Sequence, residues 1–188
     1  MTQATDSVQE VVKKVAQESQ NEQEMTNDLT QVVIFELDKE EYAVLITDIK
    51  EIIPIPEITA VPNAPDYVNG IFNLRGKIVV TLDLEKRFKF TRESTNKPTH
   101  ILIVETDSGT YGLTVDNVKE ILRVPTDSIK NTPDLLTTKV GEDNIKGVIV
   151  LRDEARVIVL LDVIKILSIE KLSELNKITT TVTTNPKQ

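Results

Sequence analysis

The stretch VNGIFNLRGKIVVTLDL, Val68 to Leu84, decides how this chain is read. Two runs rich in branched apolar residues meet through Leu74-Arg75-Gly76-Lys77, the pattern of a hairpin. A second version, IKGVIVLRDEARVIVLLDV, stands at residues 145–163. Gly70 matches Gly147, Leu74-Arg75 matches Leu151-Arg152, and Asp83 matches Asp162 once two extra hairpin residues are allowed.

Working outward, the correspondence continues. Aligning Tyr42 with Tyr111 sets YAVLITDIKEIIPIP over YGLTVDNVKEILRVP, so that Lys-Glu-Ile and the final Pro coincide. Each half supplies about five short strands, and a unit of some 60 residues buries only ~60% of its unfolded surface. The halves are therefore expected to pack on each other. Short, twisted antiparallel strands close into small barrels, which removes exposed edges. The expected fold is mainly β: two five-stranded barrels sharing a seam, at residues 32–90 and 91–168.

Smaller signals fill in the rest. Lys39-Glu40-Glu41 reads as a hairpin turn, and Pro62 to Pro65 (PNAP) as loop. Asp83 and Asp162 each precede a helical turn that they are placed to cap. From Asp162 the run VIKILSIEKLSELNKI carries Ile166, Ile169, Leu172 and Leu175 near helical spacing, so a C-terminal helix is expected over 162–178. Residues 1–31 hold no Gly, Pro or aromatic, whereas every Phe and Tyr lies between Phe35 and Tyr111. That segment reads as a tail, flexible or partly helical where Ser7 to Glu10 fits a capping box, and 179–188 as a disordered end.

Composition excludes several functions. The formal charge is −8 with a single His, which disfavours a nucleic-acid surface. There is no Cys, hence no disulfide, thiol catalysis or Cys-ligated zinc, and His100 alone cannot build a metal site. No run approaches the ~18 apolar residues of a membrane span, so a cytoplasmic protein is expected. Asp107-Ser108-Gly109 after an apolar strand has the look of an aspartic peptidase motif, but such chemistry needs a second carboxylate in a matching setting. The aligned stretch is Asp38-Lys39-Glu40, and a Gly-containing hairpin turn explains the three residues equally well. With few glycines, there is no phosphate loop, and no nucleophile elbow either. No cofactor is expected, and binding surfaces remain. An Arg in a hairpin is ordinarily a solvated charge, yet Arg75 recurs as Arg152, and each half also has a glutamate, Glu51 or Glu120, in its Lys-Glu-Ile segment.

The run EEYAVLITDIKEIIPIPEITAVPNAPDYVNGIFNLRGKIVVTLDLEKRF resembles the first half of a CheW-type chemotaxis coupling protein, and the resemblance extends through YGLTVDNVKEILRVP to about Leu167. It implies two SH3-like barrels related by a pseudo-twofold and a non-catalytic adaptor. That adaptor would link the cytoplasmic tip of methyl-accepting chemoreceptors to the regulatory domain of the chemotaxis histidine kinase, at receptor arrays on the inner face of the membrane. Ile49, Gly70 and Ile121 match positions tied to receptor coupling. Glu51 and Arg75 match residues that support receptor and kinase association, and Gly112 matches a second-half glycine. Glu120 and Arg152 are expected to pair as Glu51 and Arg75 do, each pair across the end of its own barrel. Val80 stands where the family commonly has Pro, and the N-terminal extension is longer than expected. Two other readings compete: a regulatory module of a related kinase or receiver-linked coupling system, and the peptidase.

Overall fold

The computed structural model describes residues 28–91, 97–131, 139–151 and 156–168. The N-terminal residues 1–27, most of the expected C-terminal helix and the 179–188 end lie outside them, as does Arg152. In chain order the elements are β1 (Leu29–Leu37), β2 (Glu40–Leu45), β3 (Glu51–Pro54), β4 (Val68–Leu74), β5 (Lys77–Asp83) and α1 (Leu84–Arg87). They continue as β6 (His100–Thr106), β7 (Gly109–Val115), β8 (Asn117–Pro125), β9 (Ile129–Lys130), β10 (Ile145–Leu151), β11 (Arg156–Leu161) and α2 (Val163–Leu167). The fold is mainly β, as expected. Strand β1 begins at Leu29, so the last residues assigned to the tail already pair, with Leu29 opposite Pro125.

The strands form two sheets, β8-β1-β2-β11-β10-β9 and β3-β6-β7-β5-β4. In terms of the repeat the two orders are the same apart from the added β9: each sheet joins the leading hairpin of one half to the later strands of the other. The matching parallel contacts are β2 with β11, where Tyr42 faces Val159, and β7 with β5, where Tyr111 faces Val80. A pseudo-twofold therefore relates the sheets. The division at residue 90 does not hold, because β1 and β2 sit with β8 to β11 while β6 and β7 sit with β3 to β5. One sheet is continuous in sequence, from Glu51 to Val115. The other is split around it.

This exchange explains the unbroken apolar runs. In β1, Val33, Phe35 and Leu37 enter the main core with Val80, Leu82, Leu102, Val104 and Leu113 of the opposite sheet. The alternate residues Val32 and Ile34 enter a second core with Ala43, Ile149, Ile158 and Leu160 of their own sheet. Phe72, Val79, Ile101 and Ile103 form the equivalent third core. A strand covered on both faces needs apolar residues at successive positions. Each fully buried Val or Leu side chain stabilises by about 1.5–3 kcal/mol, so the shared core is the chief bond between the sheets.

Turn and cap chemistry follows the sequence with one correction. Asp83 accepts from the Lys86 backbone N–H and Asp162 from that of Lys165, at 3.1 Å each, so both are helix caps as expected. The β1–β2 turn is Asp38-Lys39, with φ of 47° and 71°, rather than Lys39-Glu40-Glu41. A two-residue turn matching the strand twist takes positive φ at both positions, which leaves Glu40 and Glu41 inside β2. Asp107-Ser108 is likewise the turn between β6 and β7, and His100 opens β6 as a strand-end residue.

Candidate functional site

Strand β4 ends at Leu74 and β5 begins at Lys77, so the whole connection is Arg75-Gly76. Both have positive φ, 51° and 88°, and the Gly76 N–H donates to Asn73 Oδ1 at 2.8 Å. Arg75 is thus thrust outward at the tip of a two-residue hairpin turn, its side chain 78% exposed. Its Nη2 donates to Glu51 Oε2 at 2.9 Å. Glu51 opens β3 at one edge of the sheet, whereas β4 lies at the other edge. The ion pair therefore joins the two ends of a curled sheet, as expected for this half.

Beside it, Lys50 and Lys77 both donate to Glu105 of β6, Lys77 at 2.7 Å. These two lysines, Lys50 first, hold the Glu105 carboxyl below its usual value. With Leu74, Ile103 and Thr110 these charged groups line a shallow cleft of about 190 Å³. Lys50, Lys77 and Glu105 were not among the expected site residues. A signal existed: Lys50 and Glu105 recur as Lys119 and Glu36 at the same offset, and Lys119 binds Glu36 at 2.8 Å.

In the second half the described residues bring a further cation, Arg156, to Glu120. Glu120 of β8 accepts from Arg156 Nη1 at 2.9 Å, and Arg156 Nε also donates to Glu41. Glu41 accepts in turn from Lys119 at 3.0 Å. The cation equivalent to Arg156 by strand register is Lys77, three residues before the parallel contact in each sheet. Among the described residues the cation found on Glu120 is therefore Arg156; the expected partner, Arg152, lies outside them.

The remaining expected residues scatter. Ile49, half-buried against the main core, lies two residues from Glu51. Ile121 is on β8 of the other sheet and 52% exposed. Gly70 is a backbone requirement: its φ is +142°, and a Cβ there would stand 2.2 Å from the Thr59 carbonyl oxygen. Gly112 is a packing requirement in β7, where a Cβ would meet Ile101 Cγ2 at 2.6 Å. Among the described residues no group of side chains could hold a metal, and no helix is long and apolar enough to cross a membrane.

A family model described as a CheW-like domain matches residues 31–171. The chemotaxis protein CheW of Treponema pallidum is 30% identical over 149 residues, covering 77% of this chain and 86% of that protein. Its namesake in Helicobacter pylori is 33% identical over 140 residues, covering 71% and 85%. Among solved structures, the scaffolding protein TtCheW from Thermoanaerobacter tengcongensis superposes with a TM-score of 0.67 at 30% identity, covering 76% of this chain and 90% of that one.

Proposed function

The chain belongs to the CheW family, and from that premise we propose that it is a non-catalytic scaffold coupling chemoreceptor tips to the regulatory domain of the chemotaxis histidine kinase. In this reading it is cytoplasmic and is recruited to receptor arrays at the inner face of the membrane. Ile49, Glu51 and Arg75 contact the receptor tip, and Glu51 with Arg75 also supports kinase association. Ile121 adds an exposed contact on the second sheet. Gly70 and Gly112 act through shape, since both carry the backbone where a side chain would collide.

The observation that supports this best is Arg75 itself, an exposed guanidinium oriented by Glu51 at the end of a rigid hairpin. A pair of that kind adds little to folding and much to recognition, because the carboxylate fixes the fork of donors before the partner arrives. The test is co-sedimentation of the full chain with a cognate receptor cytoplasmic fragment and the kinase regulatory domain. Arg75→Ala is expected to lower ternary yield while the protein stays folded, and Arg156→Ala, scored on its folded fraction, to lower it less. Equal assembly by wild type and Arg75→Ala would overturn the assignment.

A further inference from the structure

The pseudo-twofold supplies an internal comparison for the cleft beside Arg75. In the second sheet, Lys119 and Arg156 converge on the Glu41 carboxylate, with Glu36 and Glu120 alongside. In the first sheet the matching cations are Lys50 and Lys77, and the matching glutamates are Glu105 and Glu51. The position equivalent to Glu41, opposite Glu105 as Glu41 is opposite Glu36, is Thr110. Thr110 lines the cleft and carries no charge. One half thus provides its own carboxylate where the other does not.

The charge balance follows. Around the cleft three cations, Lys50, Arg75 and Lys77, face two carboxylates, a local charge of +1 on a chain of −8. Around Glu41, among the described residues, two cations face three carboxylates. The cleft cations are also pre-ordered by Glu51 and Glu105, so little side-chain entropy remains to be lost on binding. Each has donors to spare, since a lysine has three and an arginine five.

We infer that this cleft is a subsite for one carboxylate of the receptor tip, which enters on the Thr110 side and joins Glu105 at Lys50 and Lys77, as Glu41 joins Glu36 at Lys119. The inference rests on the reading that the receptor tip docks at the Arg75 end. Glu105, brought to the cleft by the leading hairpin of the other half, is a positioning residue that aims both lysines.

The experiment is a binding titration of the full chain against a cognate receptor cytoplasmic fragment, at low and high salt. Thr110→Glu places a carboxylate of the chain's own in the subsite. It is expected to weaken binding by roughly tenfold or more at low salt and to flatten the salt dependence. Thr110→Gln, of equal size and no charge, is expected to stay within about threefold of wild type, because it offers the cations no counter-charge. Equal losses from both variants mean steric obstruction, and no loss from Thr110→Glu means no carboxylate is accepted there; either result overturns the inference. Glu105→Gln adds to the positive charge of the cleft, so a purely long-range attraction would strengthen binding, whereas a positioning role weakens it. If wild type does not bind the receptor fragment at all, the functional reading fails. If it binds, and Arg75→Ala weakens it while Thr110→Glu does not, only the carboxylate subsite fails. A Thr110→Glu effect confined to kinase-domain binding refutes the receptor as donor.

Discussion

Replacing Arg75 separates folding from recognition, and the structure sets the sizes. Arg75 holds φ of 51°, and a left-handed conformation costs a side-chain-bearing residue roughly 1–2 kcal/mol. Its ion pair with Glu51 is largely exposed on the arginine side, which limits the stabilisation to about 0–1 kcal/mol. Arg75→Ala keeps the backbone cost and loses the pair, so the midpoint should fall by no more than ~2–4 °C for a chain of this length. Arg75→Gly loses the same pair but relieves the backbone, against a Gly entropy cost of roughly 0.5–1 kcal/mol. It should be at least as stable as Arg75→Ala. Binding should behave oppositely, with both variants losing ~2 kcal/mol or more, about thirtyfold in affinity. The assay is thermal unfolding by circular dichroism paired with titration against the receptor fragment. If Arg75→Ala melts many degrees lower while its folded fraction binds normally, Arg75 is a structural residue and the reasoning is wrong. If Arg75→Gly is clearly less stable than Arg75→Ala, the turn assignment is wrong.

Other predictions follow from the same geometry. Gly70→Ala combines a positive φ with a backbone collision and should cost ~3 kcal/mol or more, whereas Gly112→Ala meets side chains rather than backbone and should cost about 1–3 kcal/mol; urea midpoints rank the two. Residues 32–90 and 91–170 expressed apart should each lack a sharp unfolding transition, because every cut at residue 90 divides both sheets. A segment spanning 46–116 keeps all strands of one sheet and should show more protected amides than either half. Arg156 chiefly, with help from Lys119 and against burial, holds the Glu41 carboxyl below its usual value. Its contribution is then complete above the unfolded-state value near 4.3 and lost as pH falls below it. Glu41→Gln should therefore flatten the acid limb of a stability–pH profile and leave the neutral region lower.

Both helix caps and the Arg75-Gly76 hairpin were legible because each rests on neighbouring residues, and the bond from Arg75 to Glu51 because both residues recur in the repeat. The allocation of hairpins to sheets was not. Two repeats with the same apolar pattern present equivalent seats, so β1-β2 fits beside β3 to β5 or beside β8 to β11 on pattern alone. The bond from Glu120 to Arg156 was not legible for a related reason. The two extra residues fall within the hairpin itself, and only strand register beyond them makes Arg156 the equivalent of Lys77. The turn falls at Asp38-Lys39, one residue before the polar cluster Lys39-Glu40-Glu41, because Asp tolerates the positive φ that the turn needs.

The split sheet also dictates a timetable for synthesis. Val32 pairs with Leu122, ninety residues further on, so the first strand made has its edge partner only when most of the chain exists. At ~5–20 residues per second that interval is roughly five to twenty seconds. Throughout it the run Val32-Val33-Ile34-Phe35, fully buried at the end, has neither edge nor face covered by β8. The intervening segment from Glu51 to Val115 can assemble its own sheet meanwhile and offer a first surface for the waiting hairpin. In a new chain, then, the middle is ready before the beginning, and the N-terminal hairpin is the piece most exposed to capture by another copy.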